Sequence, residues 1–560
     1  MRSRGKRVTT LAALAAIVLV SGGWLLQASG VSPTIGRGLF EIVRTNVARN
    51  FVELVDSDEL YEMAIRGLLE EIGDPYAAFI QPDEQRSALL TNNYGGVGMR
   101  VLADRDGIIV LDVLPNSPSS ILDLRALDLI TAVDGRQTAG WKQEDAIDAL
   151  RGPTGEAVNV TVRRNGVEDP LEFAIVRGEV HIAAVESLLL DGDVGYSRLA
   201  TFSQASRHEL EAAVSDLLAS GATSLILDFR WNQGGILREA VEISDLFLDQ
   251  GEAVVDTRAR DPRDSQSFSA PGVDRYPGLP VIVLVNGWSA SASEIVAGAL
   301  QDHDRALVLG TRTFGKGVMQ SVFQLQGGNY LRLTTGTWFT PSGRSIHRKR
   351  DDEQSHGFGL GSDEFDSAVA EAVRSGETMG MLMEPGPVEG DSVDRQVFHT
   401  DAGRAVSGGG GIVPDVIVHA DTSTLSEREL SERLREADVR LPDLALLFAA
   451  RQALAGELPA DPTIVTPVIR SEFDRFVADE TEGAIGAGDL DLARDPVDGL
   501  LAREMSRVSA GEIASLRVAV ERSAEVREAR RLLDEARTPE ALLAIAADMN
   551  EFTGAEGEGR

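Results

Sequence analysis

Two short segments carry residue types that together could hydrolyse an amide bond. Ser291 stands in the small-residue stretch SASASE, and Lys316 stands in TFGKG. Only four of the 54 basic residues are lysines, so positions that need just a positive charge have been given arginine. Arginine stays protonated in proteins, whereas a desolvated lysine can lose its proton and act as a base. The pair therefore predicts a hydrolase dyad in which Lys316 deprotonates a nucleophilic Ser291.

Backbone N–H groups near Ser291 could stabilise the oxyanion that forms when a serine attacks a carbonyl. Ser291 falls near the first turn of a predicted helix, where N–H groups are unpaired and the helix dipole is favourable. The N–H of Ala292 is one predicted donor. Gly234 or Gly235, in the turn WNQGG after the predicted strand SLILDF, supplies the other, because glycine lets the backbone approach a substrate closely.

A strand predicted after Lys316, VMQSVFQL, offers a further polar side chain. Alternation along this strand places Gln320 on the same face as Lys316. Its amide could hold the lysine amine by a hydrogen bond. The apolar neighbours would make an ammonium group costly to bury, which favours the neutral amine.

Each of these residues also has an ordinary structural interpretation. Serines at a helix start are usually caps, and paired glycines usually form turns. A glycine-flanked lysine can be an exposed turn, but GKG lacks the upstream glycine and the downstream Ser or Thr of a nucleotide-binding loop. A Ser-His-Asp triad stays open as an alternative. His303 is the histidine closest to Ser291 in sequence, and its charged neighbours predict an exposed side chain.

The composition excludes several other classes of function. The chain has 560 residues and a formal net charge of −34, which disfavours nucleic acid as a partner. It has no cysteine, so disulfides, thiolate zinc sites and a cysteine nucleophile are excluded. The seven histidines form neither HExxH nor another close ligand spacing. We therefore predict an enzyme without a metal or another cofactor.

The N-terminal segment, residues 1–30, has the pattern of an export signal. Arg2, Arg4, Lys6 and Arg7 precede an apolar run that extends to about residue 28. Its length favours a retained membrane anchor over a cleaved signal peptide. The basic flank stays in the cytoplasm, so the rest of the chain is predicted to lie on the periplasmic side of the inner membrane.

The remaining chain divides by its hydrophobic patterning into four regions. Residues 31–91 have mainly helical periodicity, and residues 92–180 form a module of short alternating strands. Residues 181–420 alternate strands with helices, which predicts an α/β core with parallel strands. Within this core, the polar and glycine-rich residues 347–408 are predicted to form an insertion or a mobile loop. Residues 421–560 are predicted to form an α-helical C-terminal domain.

Several separated segments resemble the carboxyl-terminal processing, or tail-specific, serine proteases. The resemblance covers residues 35–420, and the blocks around the serine and the lysine are its most specific part. The matching segments are DPYAAFIQPDE, YGGVGM, DFRWNQGG, NGWSASASEIVAGALQD, GTRTFGKGVMQ, LTTGTWFTPSGRSI and GGIVPDV. The chain departs from the family at Trp231, since members usually carry a Leu-Arg-Asn-Asn-Pro-Gly-Gly segment there.

The resemblance implies a multi-domain α/β protein. Its parts would be a ClpP/crotonase-like protease core, an inserted β-rich PDZ domain and the α-helical C-terminal domain. The implied site is a dyad of Ser291 and Lys316 assisted by Gln320, with an oxyanion hole made by Ala292 and the Gly234-Gly235 turn. The PDZ domain would bind the C-termini of substrates.

Strand addition in a PDZ groove requires a glycine-containing loop to hold the peptide carboxylate. Gly96-Val97-Gly98-Met99 is the predicted loop. The expected partners are proteins or peptides with free C-termini, and a homo-oligomer is compatible with the sequence. Two hypotheses remain, an extracytoplasmic endopeptidase and a catalytically inactive PDZ scaffold on a protease-like core. The joint presence of serine, lysine and glutamine favours the enzyme.

Overall fold

The computed structural model describes residues 33–81, 93–348, 396–418, 424–545 and 547. Within these ranges, no helix has the length and apolar character needed to cross a membrane. The predicted export signal, residues 1–30, and most of the predicted insertion lie outside the described residues. The described chain forms two compact units, of which the smaller comprises residues 33–81 and 322–333.

The smaller unit consists of two helices and a short strand pairing. Helix α1 is Pro33–Asn50, and helix α2 is Ser57–Ile72. The Asp56 carboxylate caps α2 by accepting the N–H of Asp58, and Gly73 ends the helix in a left-handed conformation with φ 68°. Strand β1 (Ala78–Ile80) then pairs antiparallel with residues 330–332.

The larger unit begins with the β-rich module. Strands β3, β4, β5, β7 and β8 form an antiparallel sheet in that order, β6 pairs with β5, and β2 pairs with β9. The two helices of the module are α3 (Pro118–Ile121) and α4 (Gln143–Leu150). The strands are β2 (Asn93–Gly96), β3 (Met99–Asp104), β4 (Gly107–Val113), β5 (Leu129–Val133), β6 (Arg136–Gln137), β7 (Ala157–Arg163), β8 (Leu171–Val176) and β9 (Gly178–His181).

The centre of the larger unit is a six-stranded sheet in the order β10-β11-β12-β15-β16-β21. Its first pair is antiparallel and all the following pairs are parallel. Every residue of β12 and β15 is buried, as expected for strands covered on both faces. The strands are β10 (Val185–Leu190), β11 (Val194–Leu199), β12 (Ser224–Asp228), β15 (Val281–Val285), β16 (Leu307–Gly310) and β21 (Val416–Ile417).

One face of this sheet is covered by α5 (Ser206–Ala219), α6 (Leu237–Ser244) and α7 (Ala292–Asp302). Alternate side chains point to opposite faces of a strand, and β12 follows that rule. Leu225 and Leu227 pack in the cluster with these helices, whereas Ile226 belongs to the cluster on the other face.

A smaller antiparallel sheet lies beside this core. Strand β13 (Ala253–Ala259) pairs with β14 (Gln266–Ser269) on one side and with β18 (Tyr330–Phe339) on the other. Strand β17 (Val318–Gln324) also pairs with β18. Residues 396–408, the last part of the predicted insertion, form a hairpin of β19 (Val397–His399) and β20 (Ala405–Ser407). This hairpin is held to the core because Arg404 binds Asp304 and Asp415.

The C-terminal region has two structural roles. Its helices are α8 (Leu425–Glu436), α9 (Leu441–Ala455), α10 (Pro467–Glu480), α11 (Ala487–Leu490), α12 (Arg494–Ala510), α13 (Glu512–Arg522) and α14 (Ala524–Glu535). The first five share a hydrophobic cluster of their own. The last two cover the second face of the central sheet through Leu516, Val520, Leu532 and Leu533. The core is therefore a three-layer sandwich whose third layer comes from the C-terminal region.

Helix α9 also packs against the β-rich module. Leu447, Ala450 and Leu454 of the helix contact Ile109 and Leu129 of the module. Two ion pairs flank this contact, from Arg451 to Asp104 and from Arg100 to Glu512, each with an N–O distance of 2.6 Å. The region thus contacts both the β-rich module and the central sheet.

Candidate active site

Ser291 lies between strand β15 and helix α7 in a strained backbone conformation. Its φ of 54° and ψ of −111° are unfavourable for a residue with a side chain. Such conformations cost free energy and are found where the surrounding structure imposes them, often at functional sites. The helix that follows is buried along its whole length. Ser291 is the N-cap residue of α7, and its main-chain N–H donates to the side chain of Glu294, three residues later, as in a capping box.

The carboxylate of Glu294 joins the Ser291 turn to the Lys316 loop. Its Oε2 atom accepts the main-chain N–H of Ser291 at 2.8 Å and that of Lys316 at 2.9 Å. Its Oε1 atom accepts the Thr313 hydroxyl at 2.5 Å and the N–H of Gly315 at 2.7 Å. One side chain, completely buried, therefore fixes the distance between the two main-chain segments.

Burial raises the pKa of Glu294 to about 7, although the hydrogen bonds from Thr313, Gly315, Ser291 and Lys316 act in the opposite direction. The unfolded chain has the ordinary value of 4.5. The contribution of this group to folding stability is therefore greatest below pH 4.5 and declines as the pH rises through about 7. The ionised form suits the four donors, because each oxygen then accepts two hydrogen bonds.

Lys316 lies in a closely packed loop just before strand β17. A Cβ atom on Gly317 would lie 2.7 Å from the main-chain nitrogen of His347, so only glycine fits there. The Trp338 indole N–H donates to the Lys316 carbonyl at 3.1 Å. Gln320 is on β17, four residues after Lys316, and both side chains are half-buried.

The glycine turn packs directly against the candidate nucleophile. A Cβ atom on Gly234 would lie 2.9 Å from the Cβ of Ser291 and 2.8 Å from the nitrogen of Ala292. The Gly234 N–H donates to the Asn232 side chain at 2.9 Å, which occupies one of the two predicted glycine donors. In the described part of the chain, neither Gly235 nor Ala292 uses its N–H in a hydrogen bond. These two N–H groups fit the predicted oxyanion hole.

The base of this turn is held by a buried ion-pair network. Arg230 binds Asp228 with a nearest distance of 2.6 Å, and it also binds Glu525 at 3.0 Å. The hydroxyl of Tyr196 donates to Asp228 at 2.7 Å. Because Glu525 belongs to helix α14, the C-terminal region directly supports the turn.

Two tryptophans flank the same part of the site. Trp231 has a φ of 67°, an outlying value for a bulky residue, and stacks on Trp288 with ring centroids 5.9 Å apart. Both main-chain N–H groups donate to the side chain of Asn286, at 3.1 and 3.0 Å. Trp231 is the residue at which the sequence departs from the family pattern.

His303 is not exposed as predicted, because its side chain is only 8% accessible. Its Nδ1 lies 2.7 Å from Asp401 and its Nε2 donates to the Ala253 carbonyl at 2.7 Å. It follows the last residue of α7, about 18 Å along the helix from Ser291, by the rise of 1.5 Å per residue. His303 is therefore not placed to act as the base of a triad.

The histidine also belongs to a group that sequence spacing could not reveal. Glu252, His303 and Asp401 place potential ligand atoms within 4.8 Å of one another. These residues come from three separate segments of the chain. In the structure the histidine is held there by its contact with Asp401 and by the Ala253 carbonyl.

The predicted carboxylate-binding loop, Gly96 to Met99, joins strands β2 and β3. The Val97 carbonyl accepts both the N–H and the hydroxyl of Ser119, and the Gly98 carbonyl accepts the Ser117 hydroxyl. In a planar trans peptide the N–H points away from the carbonyl. The N–H groups of Gly98 and Met99 are therefore directed away from helix α3, which leaves them oriented for an anionic group.

Comparison with known families gives two matches. Residues 193–354 match the profile of peptidase family S41, and residues 109–164 match that of a PDZ domain. The first range contains Ser291, Lys316 and Gln320, as well as the glycine turn. The second lies within the β-rich module.

Curated relatives extend these matches. The chain is 38% identical over 314 residues to the carboxy-terminal-processing protease of Bartonella bacilliformis, covering 55% of this chain and 71% of the relative. It is 30% identical to a probable CtpA-like serine protease of Staphylococcus haemolyticus, covering 60% and 70%. A solved photosystem II D1 C-terminal processing protease has 30% identity, covering 55% and 83%, with a TM-score of 0.31.

Glu294 was missed in the sequence analysis, although the spacing Ser-x-x-Glu at a helix start is a recognisable capping signal.

We expect Glu294→Gln to leave at least one buried N–H group without an acceptor, because an amide has only one oxygen. The free energy of unfolding should fall by about 1–3 kcal/mol. Hydrolysis of an unfolded protein should fall about 100-fold, because the two reactive segments lose their fixed spacing.

Denaturant unfolding and initial rates measure these two effects. Glu239→Gln is the matched control, since within the described residues this buried carboxylate accepts a hydrogen bond from the Arg207 N–H alone, which the amide oxygen can keep. The control should change neither quantity. Normal hydrolysis by Glu294→Gln would show that the shared carboxylate does not position the site.

Proposed function

The chain belongs to the carboxy-terminal-processing proteases of peptidase family S41, and we propose that it is an extracytoplasmic endopeptidase with a Ser291–Lys316 dyad that selects substrates by their C-terminal tails. The family membership makes it a serine-type protease. The choice of base, the recognition of tails and the location are the parts that we propose.

The observation that carries the dyad is the shared acceptor on Glu294. Its Oε2 atom accepts the main-chain N–H of both Ser291 and Lys316. A lysine used only for its charge would need no such tie to a strained serine. The competing base, His303, lies at the other end of helix α7 and is engaged elsewhere.

The proposed reaction begins with neutral Lys316 accepting the proton of the Ser291 hydroxyl. The serine oxygen then attacks the substrate carbonyl, and the N–H groups of Ala292 and Gly235 stabilise the oxyanion. The lysine ammonium gives its proton to the leaving amine, which produces an acyl-enzyme. Lys316 next takes a proton from a water molecule, whose oxygen attacks the acyl carbonyl, and returns that proton to the departing Ser291 oxygen. Gln320 is proposed to orient the lysine amine.

The proposed tail recognition uses the β-rich module. Strand β3 is the terminal strand of its sheet, so a peptide can add to it. The loop from Gly96 to Met99 stands at the start of this strand and would receive the terminal carboxylate. A tail bound in this way would be cleaved elsewhere along the substrate chain.

The extracytoplasmic location rests on the basic flank and the apolar run at residues 1–30. We expect the protein to fractionate with the inner membrane and to resist added protease until the outer envelope is opened. Immunoblotting before and after permeabilisation, with a cytoplasmic protein as control, measures this. Recovery of the whole chain with the cytoplasmic control would contradict the proposal.

Lys316→Arg tests the dyad because it keeps the positive charge but removes the base. We expect normal folding and a loss of activity of about 10²- to 10⁴-fold, since guanidinium cannot accept the proton of Ser291. Adding Ser291→Ala should cause little further loss, because the two residues serve one step. Initial rates on an unfolded protein and circular dichroism measure activity and folding.

Lys142→Arg is the matched control, because it makes the same substitution at an exposed lysine far from Ser291 in sequence. Its rate should equal that of the wild type. A folded Lys316→Arg variant that cleaves at the wild-type rate would exclude lysine as the base. A folded wild-type protein without any activity would instead favour the PDZ scaffold.

Tail recognition is tested by blocking the carboxylate. Amidation of the C-terminus of a substrate peptide should weaken its processing about tenfold or more, because the loop N–H groups lose a charged acceptor. The rates on the free-acid and amide forms give the comparison. Lys316→Arg serves as the background control. Equal processing of both forms would show that the module recognises another feature.

A further inference from the structure

The free edge of strand β3 is the surface that an added peptide must use. The Gly98 carbonyl accepts the N–H of Leu114 at 3.0 Å, so the main-chain carbonyl of residue 98 points toward strand β4. Since successive residues alternate, the N–H and carbonyl groups of Met99, Val101 and Ala103 face the opposite edge. Helix α4 borders this edge.

The Gln143 side chain is already bonded to that edge. Its Oε1 atom accepts the N–H of Ala103 at 2.7 Å, and its Nε2 donates to the Val101 carbonyl at 2.8 Å. A side-chain amide has the same donor and acceptor groups as a peptide bond. Gln143 therefore makes one donor and one acceptor contact that the main chain of a bound tail would otherwise make.

Helix α4 is anchored by apolar contacts as well as by these two bonds. Gln143 is the first residue of α4, and the later residues Ala146 and Leu150 are buried in the hydrophobic core of the module. Loss of the two amide bonds therefore leaves these apolar contacts in place.

We propose that Gln143 acts as a built-in competitor of the substrate tail, which long tails must displace and short tails need not. This inference rests on the proposed tail recognition and specifies how it is regulated. A terminal carboxylate at the loop from Gly96 to Met99 brings the last residues of the tail beside Met99. Residues further from the terminus reach Val101 and Ala103, where the amide of Gln143 lies.

The proposal assigns a length selectivity to the groove. A tail of two or three residues gains contacts near the loop while Gln143 stays in place. A longer tail gains main-chain bonds further along β3 only after the amide has left. Tails that are fully extended and unpaired can supply both replacement bonds, so they are favoured over tails that are held in structure.

The test measures peptide binding to the full chain carrying Ser291→Ala, which prevents cleavage. The probes are a fluorescent eight-residue Ala/Ser peptide that ends in Val with a free carboxylate, its C-terminal amide, and the unlabelled C-terminal tripeptide as a competitor. Fluorescence anisotropy gives the dissociation constants. Gln143→Ala and the similarly long Gln143→Met remove the amide, and Gln137→Ala changes an exposed glutamine of the same module.

We expect both Gln143 variants to bind the octapeptide about 5- to 30-fold more tightly, because displacement no longer breaks two hydrogen bonds. Their affinity for the tripeptide should equal that of the parent protein, as should both affinities of Gln137→Ala. Thermal unfolding checks that the variants fold. If Gln143→Ala does not fold, the comparison is made with Gln143→Met.

The outcomes separate this inference from the proposed function. Unchanged or weaker octapeptide binding by folded Gln143 variants overturns the competitor role, even if amidation still abolishes binding. Equal tightening for the tripeptide overturns the length selectivity. Equal binding of the acid and the amide, or no binding by any folded protein, overturns the tail recognition itself and this inference with it.

Discussion

The hydrogen bonds between the Glu294 carboxylate and two separate main-chain segments are the constraint on which the geometry of the candidate site depends. The Ser291 turn belongs to the central sheet and its helix, whereas the Lys316 loop leads into the smaller sheet. Two segments from different sheets would not keep an ångström-scale spacing by apolar packing alone. Four hydrogen bonds to one buried side chain provide that spacing. These hydrogen bonds also hold the Ser291 backbone in its unfavourable φ conformation.

The supports of the site extend beyond the family-matched part of the chain. Asp228 and Arg230 form an ion pair at the start of the glycine turn, and Glu525 of helix α14 completes their network. The same C-terminal region contacts the PDZ sheet through Arg451 and Asp104. A region whose composition suggests a separate helical domain is therefore integrated with both the catalytic core and the peptide-binding module.

The sequence predicted the class of fold, and the comparisons confirm a peptidase S41 core with a PDZ domain. The short strands of the β-rich module could be predicted, because alternation and turn residues are local signals. Helix α12 has a weak local signal, since it begins with the polar residues and proline of RDPVDG, and its stability comes from burial in the C-terminal cluster.

The residue types around the candidate site could also be predicted, but their connections could not. The Ser-x-x-Glu spacing lies within one helical turn and is readable in principle. The contact of Arg230 with Glu525 and that of Gln143 with Val101 join distant positions, and no local pattern indicates them. Such contacts arise from tertiary packing. These packing contacts determine which of the candidate polar residues lie within hydrogen-bonding distance of one another.

The covering of the central sheet by helices α13 and α14 has a consequence for the timing of folding. The PDZ module is continuous in sequence and can fold while the chain is still being synthesised, since domains fold as units from the N-terminus. The catalytic sheet has an uncovered apolar face until residues 512–535 arrive, long after the serine and the lysine have been made. Arg230 also lacks its partner Glu525 until then. A nascent chain that already contains Ser291 and Lys316 therefore lacks a finished core until these last helices have been made.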